Sequence, residues 1–488
     1  MEIFKKLREE KRERERERAL VFSSDVLVMA RERVESLSQK RMRLRSPAGG
    51  GASASGRPLH EETPRTKAKA GSGSGIGAGE GVGVGEKGGW SFKKSSSTGA
   101  ALEFQVLARQ NRARASILKL PHYDCRTPMF MPVGTNGSVK GLTPDQLKEL
   151  DCHLILGNTY HLGNRPGADV VDEFGGLHAF SRWDRAMLTD SGGFQMVSLL
   201  HLADITEEGV SFQSPSNGQS MMLTPEHSMK IQNKLGADIM MALDDVVSSV
   251  NPSYERFEEA THRTTRWFDR CLQAHERPHD QNLFPIVQGG LDYGLRQLSL
   301  KQLMERDDRI PGYAIGGLAG GEDKESFWNV VHWCTQALPE NKPRYVMGIG
   351  YPVDIVVCSA LGADMYDCVY PTRTARFGTA LVPDGVLRLH LASNENDQRP
   401  IDPDCTCMVC KRYKRSYLHR LVNRGDSLGA ILLSYHNVHY MMNLMRSIRE
   451  SIIDQRFPEF VRHFMQRHYP DGPPEWVVCA LKAAEIEL

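Results

Sequence analysis

Residues 345–371 read YVMGIGYPVDIVVCSALGADMYDCVYP. The stretch holds two short apolar runs, YVMGIG (345–350) and MYDCVYP (365–371), each breaking off at glycine or polar residues. A run of this kind, bounded by turn signals, suits a strand buried on both faces. The segment between them is long enough for a crossover helix, which a parallel pair requires. Working outward, the same pattern recurs in MFMPVGT (129–135), LILGNT (154–159), AMLTDSGG (186–193), IMMALDD (239–245), FPIVQGG (284–290) and YAIGGL (313–318). Eight such units spread over roughly 250 residues predict an α/β fold, a (β/α)8 TIM barrel. In that architecture the active site is built from the segments at the C-terminal ends of the strands, and here the tips carry Asp190, Asp244, Asp245, Gln288 and Asp367. The pattern points to an enzyme whose chemistry is run by carboxylates.

The chain has 488 residues, with 61 Lys and Arg against 60 Asp and Glu, so any nucleic-acid surface must be local rather than global. No apolar stretch reaches the ~18 residues of a membrane span, which predicts a soluble protein. The cysteine usage predicts a reducing, cytoplasmic setting; an association with the mitochondrial outer membrane is a separate expectation to which the cysteines do not speak. Residues 1–99 stand apart: a start dense in both charge signs, then GSGSGIGAGEGVGVGEKGG (71–89), which cannot build a core. They are expected to be a disordered low-complexity extension, too acidic for a mitochondrial presequence. Residues 100–400 are expected to form the barrel. Residues 401–488 are expected to form a zinc-binding subdomain inserted in the barrel, followed by C-terminal helices packed back on it.

Cys405, Cys407 and Cys410 crowd into one short segment, with His436 downstream. Three thiolates and one imidazole close a tetrahedral zinc site, and a site with no open position is structural. The plainer alternative, three buried free cysteines near a surface histidine, fits the tight spacing poorly. On spacing alone His419 and His439 rival His436 as the fourth ligand. The adjoining KRYKRSYLHR carries Lys411, Arg412, Lys414, Arg415 and Arg420. Alone it reads as a solvated helix face; beside a zinc knuckle a phosphate-binding surface becomes an equal contender.

Asp190 is followed by Ser191-Gly192-Gly193-Phe194, a turn whose backbone N–H groups can approach a ligand closely. One such Asp is often only a helix cap. Three carboxylates at equivalent tips are electrostatically costly, and proteins seldom gather them without a cation, a substrate or a shared proton. Asp367 is followed by a loop with Arg373 and Arg376, which suits a carboxylate nucleophile at sugar C1′ beside a phosphate backbone, or else a structural ion pair.

Taken in order, DSGGFQ, LDD, QGG, AIGGLAGGE, MGIGYPVD, YDCVYPTRTAR and CTCMVC with the later His resemble the tRNA-guanine transglycosylase family, specifically its eukaryotic queuine-inserting catalytic branch. The resemblance runs from about residue 104 to the C-terminus. It implies exchange of the wobble guanine of GUN-anticodon tRNAs (Asp, Asn, His, Tyr) for queuine, giving queuosine, by double displacement through a covalent enzyme–RNA intermediate. Asp367 then matches the nucleophile and Asp190 the general acid/base. Ser191, Gly192, Gly193, Phe194, Asp244, Gln288 and Gly317 match the base pocket. Gly348, Ile349, Gly350, Tyr351, Pro352, Val353 and Asp354, with Thr372, Arg373, Thr374, Ala375 and Arg376, match RNA-contacting segments. Cys405, Cys407, Cys410 and His436 match the zinc ligands, one Zn2+ per chain. Bacterial members carry a bulkier residue at the position of Gly320 and tend to have Cys at that of Val246, which implies a roomier pocket here. The implied partners are tRNA, guanine, queuine and a non-catalytic paralogous subunit, with a homodimer as the alternative. Two competing readings are weaker. A non-catalytic RNA-binding subunit would lack pocket residues that are all present here, and a zinc hydrolase needs an open metal position.

Overall fold

A computed structural model describes residues 101–193, 203–213, 220–251 and 253–488. The 1–99 extension and Phe194 lie outside the described residues. Eight parallel runs form the barrel: Met129–Gly134, Leu154–Gly157, Ala186–Thr189, Ile239–Met241, a fifth run over 282–287, Tyr313–Ile315, Arg344–Val346 and Met365–Cys368. Pro285 splits the fifth run into Asn282–Phe284 and Ile286–Val287. The first half pairs with Ile239–Met241 and the second with Tyr313–Ile315, so both ends of the sheet are halves of one strand and the barrel closes. A proline has no N–H to give to a ladder, which is why the run breaks there. The eighth run closes on the first with Asp367 opposite Met131.

Alternate side chains of each run enter two different cores. Met129, Met131, Val133, Leu154, Leu156, Leu188, Ile239, Met241, Phe284 and Ile286 fill the barrel interior. Phe130, Ile155, Met187, Met240, Leu283 and Ile315 pack outward against the helices. Burial on both faces explains the continuous apolar runs in the sequence. The antiparallel hairpin Glu103–Gln110 and Ala113–Lys119, joined by Asp124–Thr127, sends Leu118, Leu120 and Cys125 into the interior cluster. That plugs the N-terminal end of the barrel, leaving the C-terminal tips as its mouth.

Among the outer helices are Pro225–Leu235, Tyr254–Ala274, Tyr293–Met304, Lys324–Ala337 and Pro352–Ala360. Thr224, Ser253, Asp292 and Asp323 cap four of them through side-chain oxygens, as strand-to-helix turns in α/β units favour. Ser427–Ile453 packs against the first strand and against Pro352–Ala360, taking the place of the eighth outer helix. The hairpin Thr379–Val382 with Gly385–Arg388 and the cysteine module therefore sit between the eighth strand and the eighth helix. Two features were not anticipated from the sequence. A three-stranded antiparallel sheet (Ala203–Ile205, Val210–Gln213, Ser220–Leu223) comes after the third tip. The segment after Asp367 is a helix, Tyr370–Arg376, rather than a loop, with Pro371 near its start where a missing N–H costs nothing.

Candidate active site

Asp367 leaves the eighth strand half-buried, and both of its donors reach the same oxygen. Tyr345 Oη donates to Oδ1 at 2.6 Å and Gly348 N–H donates to Oδ1 at 2.8 Å. Oδ2 takes neither bond. Burial pushes this carboxyl above the ordinary range; the two hydrogen bonds pull it back, and the nearby charge of Asp190 pushes it up again. The Tyr345 hydroxyl is raised well above its usual value, first by burial and then by Asp367, so it stays a proton donor.

Asp190, at the third tip, is gripped on both oxygens. Thr159 N–H donates to Oδ1 at 2.9 Å and Gly192 N–H at 3.1 Å, while Asn158 Nδ2 donates to Oδ2. Its aim is set by the second strand's NT turn together with its own Ser-Gly-Gly turn.

The adjacent Asp244 and Asp245 take opposite directions. Successive side chains of an extended segment point to opposite sides. Asp245 turns outward to Arg256 and Arg263, with Arg263 Nη1 at 2.6 Å, a structural ion pair. Asp244 turns inward, accepting from Gln288 Nε2 at 2.6 Å and from Ser191 Oγ at 3.4 Å. Burial pushes Asp244 up to about 7; the Asp245 charge adds to this and the Gln288 bond opposes it. Gly317, with φ +69°, completes this wall: a Cβ there would lie 2.6 Å from Gln288 Oε1. Gly193 is buried and a Cβ there would lie 3.4 Å from the Asp244 carbonyl. The structure thus brings Asp190, Ser191, Asp244, Gln288 and Gly317 around one mouth with Asp367.

The sequence-predicted RNA segments divide by exposure. Gly348, Tyr351, Arg373 and Arg376 are exposed, and Val353 and Thr374 are half-buried. Ile349, Gly350, Pro352, Asp354, Thr372 and Ala375 face inward. Asp354 is held by Lys324 Nζ at 2.6 Å. In the basic stretch after the cysteines Lys411, Arg412, Lys414 and Arg420 are exposed. Arg415 is tied instead to Asp397 and to the carbonyls of Pro400 and Ile401. Gly320 is exposed, and a Cβ there would meet Ser249 Oγ at 2.5 Å, so the position adjoins the 246–251 segment.

Cys405, Cys407, Cys410 and His436 bring their donor atoms together. The His436 Nδ1 lies 3.8, 3.5 and 3.4 Å from the three Sγ atoms. Tetrahedral zinc bonds of about 2.3 Å to sulfur and 2.1 Å to nitrogen would place those atoms about 3.6 Å apart. Its Nε2–H donates to the Leu381 carbonyl at 2.8 Å, which turns Nδ1 toward the thiols. His439 approaches Cys405 alone, and His419 is bound to the Leu389 carbonyl. The cluster can hold one metal ion, with His436 as its imidazole. A second grouping, His122, His178 and Asp238, lies at the plugged end. There Asp238 accepts from both imidazoles and from the backbone N–H groups of His122 and Met187, so its carboxylate is filled by protein donors. A cavity of about 620 Å3 also lies at that end, lined by His122, Asp124, Arg126, Asp151 and His153, far from the strand tips.

The motif order around this mouth is that of a known family. A family model described as queuine tRNA-ribosyltransferase matches residues 109–470. The chain belongs to the queuine tRNA-ribosyltransferase family. It is 51% identical over 405 residues to the queuine tRNA-ribosyltransferase catalytic subunit of Schizosaccharomyces pombe, covering 80% of this chain and 99% of that protein. A Caenorhabditis elegans protein of the same description is 50% identical over 373 residues, covering 76% of this chain and 92% of that protein. The queuine tRNA-ribosyltransferase of Thermus thermophilus is 48% identical over 380 residues, covering 78% and 98%. The chain is accordingly a transferase.

Asp244 gives this transferase a pH signature. A carboxyl raised to about 7 is neutral in the free protein below that pH, and a neutral carboxyl cannot accept two N–H donors at once. With the guanine edge on Asp244, as the resemblance implies, the apparent affinity for guanine should therefore rise as pH increases from 6 to 8, by up to tenfold per unit on the acid side. Asp244→Asn should flatten the profile and weaken base binding. The sign for stability is the reverse. A carboxyl whose folded pKa is raised destabilises the fold once pH exceeds its unfolded value, most fully above about 7. The Asn variant should therefore melt at a higher temperature than the parent at pH 8. Guanine KM across pH with parallel melting curves checks both; an unchanged KM profile in the variant would count against Asp244 as the titrating group.

Proposed function

We propose that this chain exchanges the wobble guanine of tRNAs with GUN anticodons (Asp, Asn, His, Tyr) for queuine, through a covalent enzyme–RNA intermediate. The observation that carries the reading is one oriented, half-buried carboxylate, Asp367, within electrostatic reach of a second, Asp190, in a closed barrel mouth. Asp367 Oδ2 attacks ribose C1′ and the bond to the ring nitrogen breaks, its electron pair leaving with guanine. Asp190 supplies the proton that guanine takes up. Queuine then enters, gives a proton to Asp190 and attacks C1′, displacing Asp367. Two inversions retain the anomeric configuration.

Asp244 accepts two N–H donors from the edge of the base, while Gln288 and the Gly317 backbone meet its carbonyl side. The wobble nucleoside must leave its stack, at a cost of a few kcal/mol that is least in an anticodon loop. Gly348, Tyr351, Arg373 and Arg376 receive the flanking RNA, the arginines binding phosphates and Tyr351 offering a ring face, a reading that their exposure supports. Glycine at 320 and the small neighbours on the 246–251 segment support the larger base, queuine, over a smaller precursor. The metal of the Cys3His set is zinc, structural because all four positions are protein ligands. The working assembly is a heterodimer with a non-catalytic paralogue that aligns tRNA, a homodimer being the alternative.

The test is a denaturing gel of this chain, with its partner subunit, incubated with a GUN-anticodon tRNA. The expected result is a slow protein–RNA band that disappears when queuine is added. Intact tRNA binding with no band and no incorporated base would move the assignment to a non-catalytic RNA-binding subunit.

A further inference from the structure

The helix Tyr293–Met304 carries Arg296 on its inner face, where the guanidinium is fully buried. Among the described residues no carboxylate bonds to it. Its donors go instead to three backbone carbonyls: Nε to Gly290 at 2.8 Å, Nη1 to Val287 at 2.7 Å and Nη2 to Gly316 at 2.8 Å. A buried cation without a counter-ion is costly, and a staple for three carbonyls does not require a full charge. All three carbonyls belong to the two turns, QGG (288–290) with the Val287 before it and IGG (315–317), that place Gln288 and Gly317 at the mouth. Glycine is required at both turns: a Cβ on Gly289 would come 2.7 Å from the Arg296 backbone N, and one on Gly317 would come 3.3 Å from Arg296 Nη2.

The Gly316 carbonyl and the Gly317 N–H are the two ends of a single peptide unit. A cation bound to the carbonyl draws electron density to the oxygen and leaves the N–H a stronger donor, the cooperative effect of a polarised hydrogen-bond chain. No backbone acceptor among the described residues takes the Gly317 N–H. We propose that Arg296 is a positioning residue that polarises the Gly316–Gly317 peptide, so that the Gly317 N–H stabilises negative charge building on the carbonyl of the departing or incoming base. The inference rests on the base-exchange reading above. When the C1′–nitrogen bond breaks, its electron pair spreads into the ring and onto the base carbonyl until the Asp190 proton arrives. A fixed N–H aimed at that oxygen acts as an oxyanion-hole donor. Glu322 acts on Arg296 only through space; a carboxylate bonded to the guanidinium would cancel most of the field at the Gly316 carbonyl.

The test compares the parent chain with Arg296→Met and Arg296→Lys. Each is assayed in the assembled enzyme with guanine and with 6-thioguanine as incoming base, alongside tRNA KM and melting temperature. Arg296→Met should lower kcat by about tenfold while tRNA KM stays within about twofold, since the Gly317 N–H remains and only its polarisation and fixing are lost, a part of the about 100-fold that a whole oxyanion donor is worth. Arg296→Lys keeps the charge but cannot span three carbonyls, and should recover about fivefold or more over Met. Sulfur accepts hydrogen bonds weakly, so the parent should favour guanine over 6-thioguanine, and that preference should shrink about threefold or more in the Lys variant. If the Met variant does not fold, the Lys variant's base preference decides alone. An unchanged preference, or a kcat loss matched by an equal rise in tRNA KM, would overturn the proposal. A parent enzyme that exchanges no base at all would instead remove the reading on which it rests.

Discussion

Asp367→Asn should abolish base exchange, by about 10^4-fold or more in kcat, while leaving fold and tRNA binding in place. The geometry explains why the substitution is this selective. Both donors that hold the side chain, Tyr345 Oη and Gly348 N–H, end on Oδ1. An asparagine keeps a carbonyl oxygen there and so keeps both bonds. Only the second oxygen changes, to an amide nitrogen whose lone pair is delocalised and cannot attack C1′. Removing the carboxylate also removes a buried charge near Asp190, so the variant should melt no lower than the parent. The measurement is labelled-guanine incorporation under saturating tRNA, with the covalent band and tRNA affinity read in parallel. Retention of about 1% of the parent rate, or a covalent band that persists, would show that another group attacks the ribose.

How far this site was legible in the sequence depends on which way each residue points. The eight strands announce themselves because parallel strands covered on both faces must be apolar at every position. Their tips were equally visible, since glycine and carboxylate break those runs abruptly. Spacing alone could not say which of Asp244 and Asp245 faces the mouth, because that depends on strand phase at the rim; only the family resemblance singled out Asp244. Tyr345 was hidden for a related reason: inside an apolar run a tyrosine reads as core, and only the register shows its hydroxyl reaching Asp367. Arg296 sits in YGLRQLSL, where a lone arginine reads as solvated; its burial comes from the close helix approach that Gly289 allows. Asn158 carried a weak signal, a polar residue ending LILGNT, that becomes meaningful only when the third tip lies beside it. Among the predicted RNA contacts, Pro352, Asp354, Thr372 and Ala375 face inward because YPVD and YPTR open helices, which turn part of each motif toward the core.

Cys410→Ser, or removal of metal with a strong chelator, should unfold the module around the cysteines and lower the melting temperature by about 10 °C or more. Cys407, Cys410 and His436 are buried, and a single imidazole faces three sulfurs, too few protein charges to hold all three as thiolates. Without a metal they must be protonated or separate, and either change loosens the start of Met408–Arg412 from Ser427–Ile453. The consequence reaches the active site through Leu381 and the helix residue next to His436. His436 Nε2–H holds the Leu381 carbonyl at 2.8 Å, and Asn437 Oδ1 accepts the Leu381 N–H at 2.8 Å. Asn437 Nδ2 also donates to the carbonyls of Pro371 at 2.9 Å and Thr379 at 3.0 Å. Pro371 opens the helix bearing Arg373 and Arg376, which comes directly after Asp367. Metal loss should therefore raise tRNA KM as well as lower stability, even though the metal meets no substrate. His436→Ala should lose the metal, whereas His439→Ala, which removes a ring touching only one of the sulfurs, should keep close to one equivalent. Elemental analysis of the folded protein decides it: metal-free protein with the parent's melting temperature would break the assignment, and metal lost equally in both histidine variants would move the fourth ligand away from His436.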